Sequence, residues 1–288
     1  WLKIPDAVNC PGPAMSARAA FKTAKEFRWY HWAGSIASAG AINVGLLAAL
    51  AKTYKWVYSD HDESVRRFTE AHGTPTEAQR LDVFRWFGPT WDGFMGPKER
   101  GGAEDYRMEL YKGARGHVLE VAVGTGRCFE ALAQSGEVQS FVGVDCVDEM
   151  LHEARKKLEG LAFPARVLCA DAHKLPFPDA SFDTVAGSIC LCSVERPAVA
   201  LAEMARVCKQ DGQVLLLEPG LANSWVVRAG QRYLGLVPDP KHAWELGWHD
   251  DLNPTALVQA CPQLRLANVQ TRALGNWYLI TATPPPVE

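Results

Sequence analysis

The sequence lacks an excess of basic residues. It contains 30 lysines and arginines against 33 aspartates and glutamates, which gives a formal net charge of −3. Proteins that bind nucleic acid carry clustered positive charge, so this balance disfavours a nucleic-acid partner, although a local basic patch stays compatible with it. The hydrophobic fraction of 48% and the charged fraction of 22% are ordinary for a folded chain, which excludes wholesale disorder.

The eight cysteines lack the spacing of metal or redox sites. No Cys-x-x-Cys pair occurs, and the closest pair is Cys190 and Cys192, inside an apolar stretch. Zinc ligands usually leave two or more residues between paired cysteines. We therefore predict buried free thiols in a reducing compartment and no metal site.

Charge is also absent from residues 33–51 (AGSIASAGAINVGLLAALA), whose 19 residues approach the ~20 that cross a bilayer as a helix. Aromatic residues flank the run on both sides, as they do at membrane interfaces. They are Trp29, Tyr30 and Trp32 before it and Tyr54, Trp56 and Tyr58 after it. The pattern predicts a membrane anchor whose orientation is not set by the nearly balanced flanking charge. The modest hydrophobicity of the run leaves a second interpretation open, an Ala-rich helix docked in a soluble complex.

Three regions follow from composition. Residues 1–59 form an N-terminal arm with the anchor helix, and residues 60–103 form a helical connector or lid broken by glycine and proline. Residues 104–288 form the main domain. The chain begins at Trp1 and not at a methionine, so we expect a further segment upstream, either cleaved or outside the given sequence. The basic, Ala-rich stretch 15–28 is typical of an organelle-targeting region or of a juxtamembrane helix.

The main domain alternates between strands and helices, which predicts a doubly wound α/β fold with a parallel sheet. The apolar runs that predict strands are 117–123, 140–145, 165–170, 182–189 and 213–218. The helical stretches are 127–134, 147–159, 197–209 and 254–260. Two late strands, 264–270 and 274–282, predict an antiparallel hairpin added to the edge of the sheet.

Chemistry gathers where three predicted strands end. Gly124-Thr125-Gly126 follows the first strand, Asp145 ends the second and Asp171 follows the third. Ligands of such sheets bind outside the carboxyl ends of the strands, where a glycine turn admits the ligand and an acid accepts ribose hydroxyls. Taken singly, each acid also fits a helix cap or a turn. Together they predict a nucleoside cofactor, and Phe129 stands where a dinucleotide fingerprint has its third glycine.

The segments HVLEVAVGTGR, VGVDCVDEMLHEARKKL and the stretch from LPFPDASFDTV to LLLEPG resemble the successive motifs of class I S-adenosylmethionine-dependent methyltransferases of the UbiE-like group. The resemblance covers about residues 104–283 and implies a Rossmann-like seven-stranded sheet that binds S-adenosyl-L-methionine. The cofactor residues that it implies are Glu120, Ala122, Gly124, Thr125, Gly126, Asp145, Cys146, Met150, Asp171, Ala172, Ser188 and Ile189. Ala122 departs from the family pattern, which has glycine there.

The methyl acceptor has weaker signals. A Trp-rich loop contains His242, His249 and Asp250, and we predict His249 as a general base, with a loop hydrogen bond as the plain alternative. The chain after the fourth strand reads Ser188-Ile189-Cys190-Leu191 and lacks the Asn-Pro-Pro-Tyr type of motif expected for methylation of adenine amino groups. The aromatic loop suits a small or lipid-like acceptor.

The arm and the tail also resemble the single-span methyltransferase-like proteins of the mitochondrial inner membrane, which implies that location and possible partners for the arm. We therefore expect a membrane-anchored methyltransferase acting on a small or lipid-like acceptor. One alternative is a structural or assembly subunit of a mitochondrial membrane or ribosomal complex that retains the fold. A weaker alternative is an rRNA or protein methyltransferase.

Overall fold

The structure of the protein, a computed structural model, describes residues 67–99, 102–222, 224, 227–228, 241–249 and 252–286. The predicted anchor at 33–51 and the N-terminal arm lie outside these residues. In the ranges that the structure describes, no helix combines the length and the apolar character needed to cross a bilayer.

Seven strands form one mixed sheet in the described part of the chain. They are β1 (Gly116–Val121), β2 (Val138–Asp145), β3 (Ala165–Cys169), β4 (Phe182–Ser188), β5 (Cys208–Pro219), β6 (Arg265–Arg272) and β7 (Trp277–Thr283). Their order across the sheet is β3-β2-β1-β4-β5-β7-β6, with β1 to β5 parallel. The last strand, β7, runs antiparallel to both β5 and β6. The predicted Rossmann-like sheet with a C-terminal antiparallel hairpin is confirmed.

Helices precede the sheet and connect its strands. They are α1 (Glu77–Phe87), α2 (Trp91–Glu99), α3 (Ala103–Tyr111), α4 (Phe129–Ser135), α5 (Asp148–Lys157), α6 (Pro197–Val207), α7 (Lys241–Glu245) and α8 (Pro254–Ala260). Thr76 and Gln79 form a capping box at the start of α1, which satisfies two amides that the helix leaves free. Asn253 caps α8 in the same position, where Pro254 occupies the first helical turn.

The core lies on both faces of the sheet, because neighbouring residues of a strand point to opposite sides. Leu119 and Val121 of β1 pack with Val185 and Leu216 in one buried cluster, which also includes residues of α6 and α8. Val118 belongs to the other cluster, which includes residues of α4 and α5. Both faces are covered, as expected for parallel strands that read as continuous apolar runs.

Strand β5 is longer than predicted, because it begins directly after α6. Its pairing with β4 shifts between Phe182 and Thr184, so that Lys209 to Gly212 form an irregularity and not a separate turn. A side chain at Gly212 would approach the Asp183 carbonyl oxygen to 2.9 Å. Glycine is therefore needed at this bulge for close backbone approach.

Candidate active site

A cavity of about 230 Å³ lies at the carboxyl ends of the parallel strands. It is placed where the chain order reverses, because β1 is flanked by β2 on one side and by β4 on the other. Nine predicted cofactor residues line it: Glu120, Ala122, Asp145, Cys146, Met150, Asp171, Ala172, Ser188 and Ile189. Gly124, Thr125 and Gly126 form the adjoining turn and are not part of this lining.

The carboxylate that ends β2 holds the turn that follows β1. Oδ2 of Asp145 accepts a hydrogen bond from the Gly124 amide at 2.9 Å, and Oδ1 accepts one from the Val147 amide at 2.9 Å. Burial raises the pKa of Asp145, although these amides act in the opposite direction. One side chain thus joins the glycine turn to the start of α5 and faces the cavity.

Two residues without glycine's freedom take left-handed backbone conformations on the cavity wall. Ala122 has φ 56° and the β-branched Ile189 has φ 58°. Such conformations cost free energy for side chains with a Cβ and cluster at functional sites. Ala122 stands where the family pattern has glycine, so the structure gives the physical reason for that pattern at this position.

Glu218, at the end of β5, fixes the loop that follows Ile189. Its Oε1 accepts hydrogen bonds from the amides of Cys190 at 2.9 Å and Leu191 at 2.8 Å. Burial raises the pKa of Glu218 to about 7. The sequence prediction missed this residue, although its place at a strand end next to proline was the available signal.

Glu120 has a buried carboxyl group, and one of its two oxygens has no hydrogen-bond partner. Oε1 accepts a hydrogen bond from the Tyr111 hydroxyl at 2.9 Å, while Oε2 is buried with no hydrogen-bond partner. Burial raises the pKa of Glu120 to about 7, against the lowering effects of the Cys128 thiol, the Tyr111 hydroxyl and the Arg107 charge. An unpaired buried carboxyl oxygen at the cavity is suited to a cationic hydrogen-bond donor.

Helix α2 is attached to the domain through two acidic side chains. Glu99 is 4% exposed, and its Oε2 accepts hydrogen bonds from Arg107 Nη2 and Arg127 Nε, each at 3.0 Å. Arg107 also donates through Nε to the Ser188 Oγ at 3.0 Å. These contacts bring α2 to the end of β4, and no sequence motif predicted them.

Asp92, the second of these acids, contacts the glycine turn. Its carboxylate accepts hydrogen bonds from the Thr125 hydroxyl at 2.7 Å and from the Lys157 ammonium at 2.5 Å. Burial alone would raise the pKa of Asp92, but the bonds from Lys157 and Thr125 and the charge of Arg127 hold it below its usual value. Thr125 therefore links the turn to α2.

Asp171 is paired with a histidine that the sequence prediction did not include. Its Oδ1 contacts Nδ1 of His173 at 2.6 Å and accepts the His173 amide at 2.8 Å. Nε2 of the same ring accepts the Arg196 amide at 3.1 Å, which leaves the Nδ1 proton for the carboxylate. Both residues line the cavity. His173 thus orients the acid at the third strand end.

Aromatic side chains line the part of the cavity contributed by the helical segment and the late loops. Phe84 and Trp91 meet edge to face at 5.8 Å between ring centroids, and Trp91 meets Trp248 at 6.3 Å. Met95 and Trp277 also line the cavity. Their shared apolar character distinguishes this wall from the carboxyl groups at the strand ends.

His249 lies next to this aromatic wall but is not among the cavity-lining residues. Its amide donates to the Cys192 carbonyl at 2.9 Å, and it is the preceding Trp248 that lines the cavity. Of the neighbouring candidates, Asp250 lies outside the described residues, as does the side chain of His242. The role of His249 as a base stays a prediction.

Comparison with known proteins defines the class. Residues 119–216 match the family model described as a methyltransferase domain. The chain is 35% identical over 175 residues to a phosphatidylethanolamine N-methyltransferase of Cereibacter sphaeroides, a match that spans 60% of this chain and 82% of that enzyme. It is 42% identical over 104 residues to the ubiquinone/menaquinone biosynthesis C-methyltransferase UbiE of Paraburkholderia xenovorans, a match that spans 35% of this chain and 42% of that enzyme.

A solved structure agrees at the level of the fold. A methyltransferase of Thermotoga maritima superposes with a TM-score of 0.51 at 18% identity, over 71% of this chain and 99% of that chain. The chain belongs to the S-adenosylmethionine-dependent methyltransferases. Its cofactor is S-adenosylmethionine, and the free Oε2 of Glu120 fits the ammonium group that this cofactor carries.

Proposed function

We propose that this methyltransferase acts on a small, apolar acceptor of the lipid or quinone type. The observation that carries the proposal is a single cavity with two unlike walls. Glu120, Asp145 and Asp171 supply carboxyl groups at the strand ends, while Phe84 and Trp91 supply aromatic surface to the same lining. A pocket of mostly apolar lining with a few convergent polar groups is typical of small-molecule sites.

The carboxyl wall is the proposed place of the cofactor. Glu120 would accept the ammonium, Asp145 the ribose hydroxyls and Asp171 the exocyclic amine of the adenine. The glycine turn would bring backbone close to the methionine part, and Ser188 and Ile189 would stand near the transferring methyl group. Cys146 and Met150 would pack beside the adenine, with Ala122 and Ala172 completing the surface.

The chain's own task in the reaction is alignment. The bound cofactor supplies an activated methyl group on a sulfonium, so the protein must hold the acceptor nucleophile in line with it. Arg107 fixes the Ser188 hydroxyl through a 3.0 Å hydrogen bond, and Glu99 fixes Arg107. The aromatic wall would exclude water from the acceptor. His249 is the proposed base for an acceptor that must lose a proton.

Two relatives support the acceptor class. The enzyme from Cereibacter sphaeroides is a phosphatidylethanolamine N-methyltransferase, and the one from Paraburkholderia xenovorans is a C-methyltransferase of ubiquinone/menaquinone biosynthesis. The chain spans 82% of the first enzyme but only 42% of the second. Both acceptors combine a polar reacting group with an apolar body, which matches the two walls of the cavity.

The proposal includes a membrane anchor at residues 33–51 and residence in the mitochondrial inner membrane, with the arm free to contact protein partners. The uncharged run and its aromatic flanks support the anchor, whereas the location rests on the resemblance of the arm and the tail to single-span proteins of that membrane. Carbonate extraction of membranes tests the anchor. Retention in the pellet is expected, and release of the full chain into the supernatant would contradict an integral helix.

Cofactor binding is tested by calorimetric titration of the full chain with S-adenosylmethionine. Asp145→Asn should raise Kd by about tenfold or more, because it removes a charged acceptor. Asp148→Asn, in the first turn of α5 with its carboxylate 69% exposed, is the matched control and should bind as the wild type does. Absence of binding by the wild type would contradict the cofactor site.

The acceptor is tested by transfer of a labelled methyl group to phosphatidylethanolamine vesicles, to a demethylated quinol with a lipid tail, and to RNA. We expect label in one of the two lipid-like acceptors and none in RNA. Trp91→Ala should raise KM for that acceptor and leave the Kd of S-adenosylmethionine unchanged. A wild-type protein that binds the cofactor but methylates neither lipid-like acceptor would favour the assembly-subunit alternative.

A further inference from the structure

Arg80 is a buried cation on the part of the cavity lining that α1 and α2 contribute, the helical wall. It is the fourth residue of α1, is 3% exposed and lines the cavity. Its Nε donates to Glu77 Oε2 at 3.0 Å, and its Nη2 donates to the same oxygen. Nη1 is buried and has no hydrogen-bond partner. Because buried polar groups are almost always paired, this donor indicates a bond that a ligand completes.

The position of α1 indicates which ligand. Phe84 of α1 packs against Val147 and Met150, the residues that follow the end of β2. Arg80 therefore stands over the same strand end as Asp145 and Cys146, and its charge acts to lower the pKa of both groups. Ser188 belongs to β4, on the opposite side of β1 from β2. Arg80 thus faces the nucleoside end of the proposed site.

The charges around Arg80 restrict which kind of ligand atom can accept a hydrogen bond from its Nη1. Glu77 already pairs with the guanidinium through two donors, so the pair as a whole is close to neutral. A second anion there would meet the Glu77 charge as well, whereas a hydroxyl or ring nitrogen would not. An uncharged acceptor atom is favoured, and adenosine offers ribose oxygens and adenine nitrogens of that kind.

We propose that Arg80 is a cofactor-binding residue whose Nη1 donates a hydrogen bond to the adenosine half of S-adenosylmethionine. The inference rests on the proposed cofactor site. Helix α1 then contributes to both the aromatic wall and the cofactor site, since Phe84 belongs to that wall and Arg80 binds the cofactor. The helical segment is in that case part of the cofactor site, and its role extends beyond that of a cover for the acceptor.

The test is calorimetric titration of the full chain with two probes, S-adenosylhomocysteine and 5′-methylthioadenosine, which lacks the amino-acid part. Arg80→Gln should raise Kd for both probes by a similar factor of about ten or more. Arg80→Lys should bind both probes more tightly than Arg80→Gln does, because lysine keeps the charge although it lacks the planar set of guanidinium donors. Arg85→Gln is the matched control, since Arg85 makes an exposed pair with Asp82 at the same three-residue spacing on α1.

Each outcome decides the matter. Unchanged affinity for both probes in Arg80→Gln overturns the inference, and so does a loss confined to S-adenosylhomocysteine, which would place the contact on the methionine carboxylate. A raised KM for the methyl acceptor with unchanged probe affinity would assign Arg80 to the acceptor and overturns it too. Thermal unfolding of each variant separates loss of fold from loss of contact, and Arg80→Lys decides if Arg80→Gln does not fold. Failure of the cofactor site itself is distinguished because the wild type would then bind neither probe.

Discussion

The carboxyl wall at the strand ends (the strand-end wall) and the helical wall formed by α1 and α2 are held in place by different bonds. The strand-end wall is fixed by backbone amides, as in the bonds from Gly124 to Asp145 and from Cys190 to Glu218. The helical wall is fixed by ion pairs between side chains, of which Glu99 with Arg107 is the most buried. The first kind of bond forms where strands of the sheet end, whereas the second requires side chains of separate elements, such as α2 and α3, to meet.

This difference has an energetic meaning. Backbone amides that cap a buried carboxylate satisfy groups that the fold would otherwise leave unpaired. A buried ion pair must first offset the cost of removing two charges from water, so it specifies an arrangement more than it stabilises one. We expect the strand-end wall to fail as a unit when its geometry changes and the helical wall to loosen without loss of the sheet.

The largest loss of stability and cofactor binding is expected from Gly126→Val, which disturbs the glycine turn next to the strand-end wall. Gly126 has φ 77°, and a Cβ there would lie 2.6 Å from the Phe129 ring. Left-handed strain and overpacking together should lower the free energy of unfolding by about 3 to 5 kcal/mol. Urea unfolding measures the loss, and titration with S-adenosylmethionine should show no binding at concentrations that saturate the wild type.

Gly136→Ala is the control for that substitution. Gly136 has φ 73°, close to that of Gly126, but no atom beyond the adjacent residues of the chain lies within 4 Å of a Cβ built there. Only the strain remains, so a loss of about 1 kcal/mol with normal cofactor affinity is expected. Equal behaviour of the two variants would mean that contact with Phe129 has no part in shaping the turn.

The same difference explains what the sequence could and could not reveal. The strands, the glycine turn and the acids at the ends of β2 and β3 follow from local patterns of apolar residues, glycine and carboxylates. Ala122 and Ile189 were placed through the family resemblance, but their left-handed backbone was not foreseeable from residue type. The spacing of Glu77 and Arg80 is that of a pair on one helical turn, but the sequence does not show that Arg80 lines the cavity. Glu99 and Glu218 act through partners 8 to 28 residues away in the chain, and a single sequence does not state such pairings.

A second prediction concerns Glu120, which belongs to β1 but is contacted by α3. Its pKa is raised from 4.5 to about 7, so the folded protein holds this proton more tightly than the unfolded chain does. The stabilisation is complete below pH 4.5 and is lost as the pH rises through 7. Glu120→Gln keeps the neutral form at every pH. It should therefore match the wild type near pH 4 and exceed its free energy of unfolding at pH 8 by about 3 kcal/mol.

Glu203→Gln supplies the opposite case, measured by urea unfolding at the same two pH values. The hydrogen bond from Arg206 holds the pKa of Glu203 below its usual value, so its charged form stabilises the fold. This variant should be less stable than the wild type at pH 8. If Glu120→Gln also proved less stable at pH 8, its carboxyl would be better stabilised as an anion than burial implies, and the pairing with Tyr111 and Arg107 would be the stronger influence.

The smallest of the three effects is expected from Glu99→Gln, which weakens the helical wall. Arg107 would keep Ser188 and Arg127 would keep Asp92 at 3.6 Å, so neither cation is left without a partner. Loss of the charged hydrogen bonds should lower the free energy of unfolding by about 2 kcal/mol. Limited proteolysis should cut within α2 faster than in the wild type, while cuts in the sheet stay slow.

Asp148→Asn is the control for Glu99→Gln, because it breaks an exposed ion pair. Its partner Arg155 is 44% exposed, and such pairs contribute about 0.5 kcal/mol or less to the free energy of unfolding. If Glu99→Gln lowers the free energy of unfolding by as little as this, the ion pairs of Glu99 do not determine the position of the helical wall. The aromatic contacts of Phe84, Trp91 and Trp248 would then be left to hold α1 and α2 against the domain. In that event the two walls would differ in the residues that form them but not in how strongly they depend on charge.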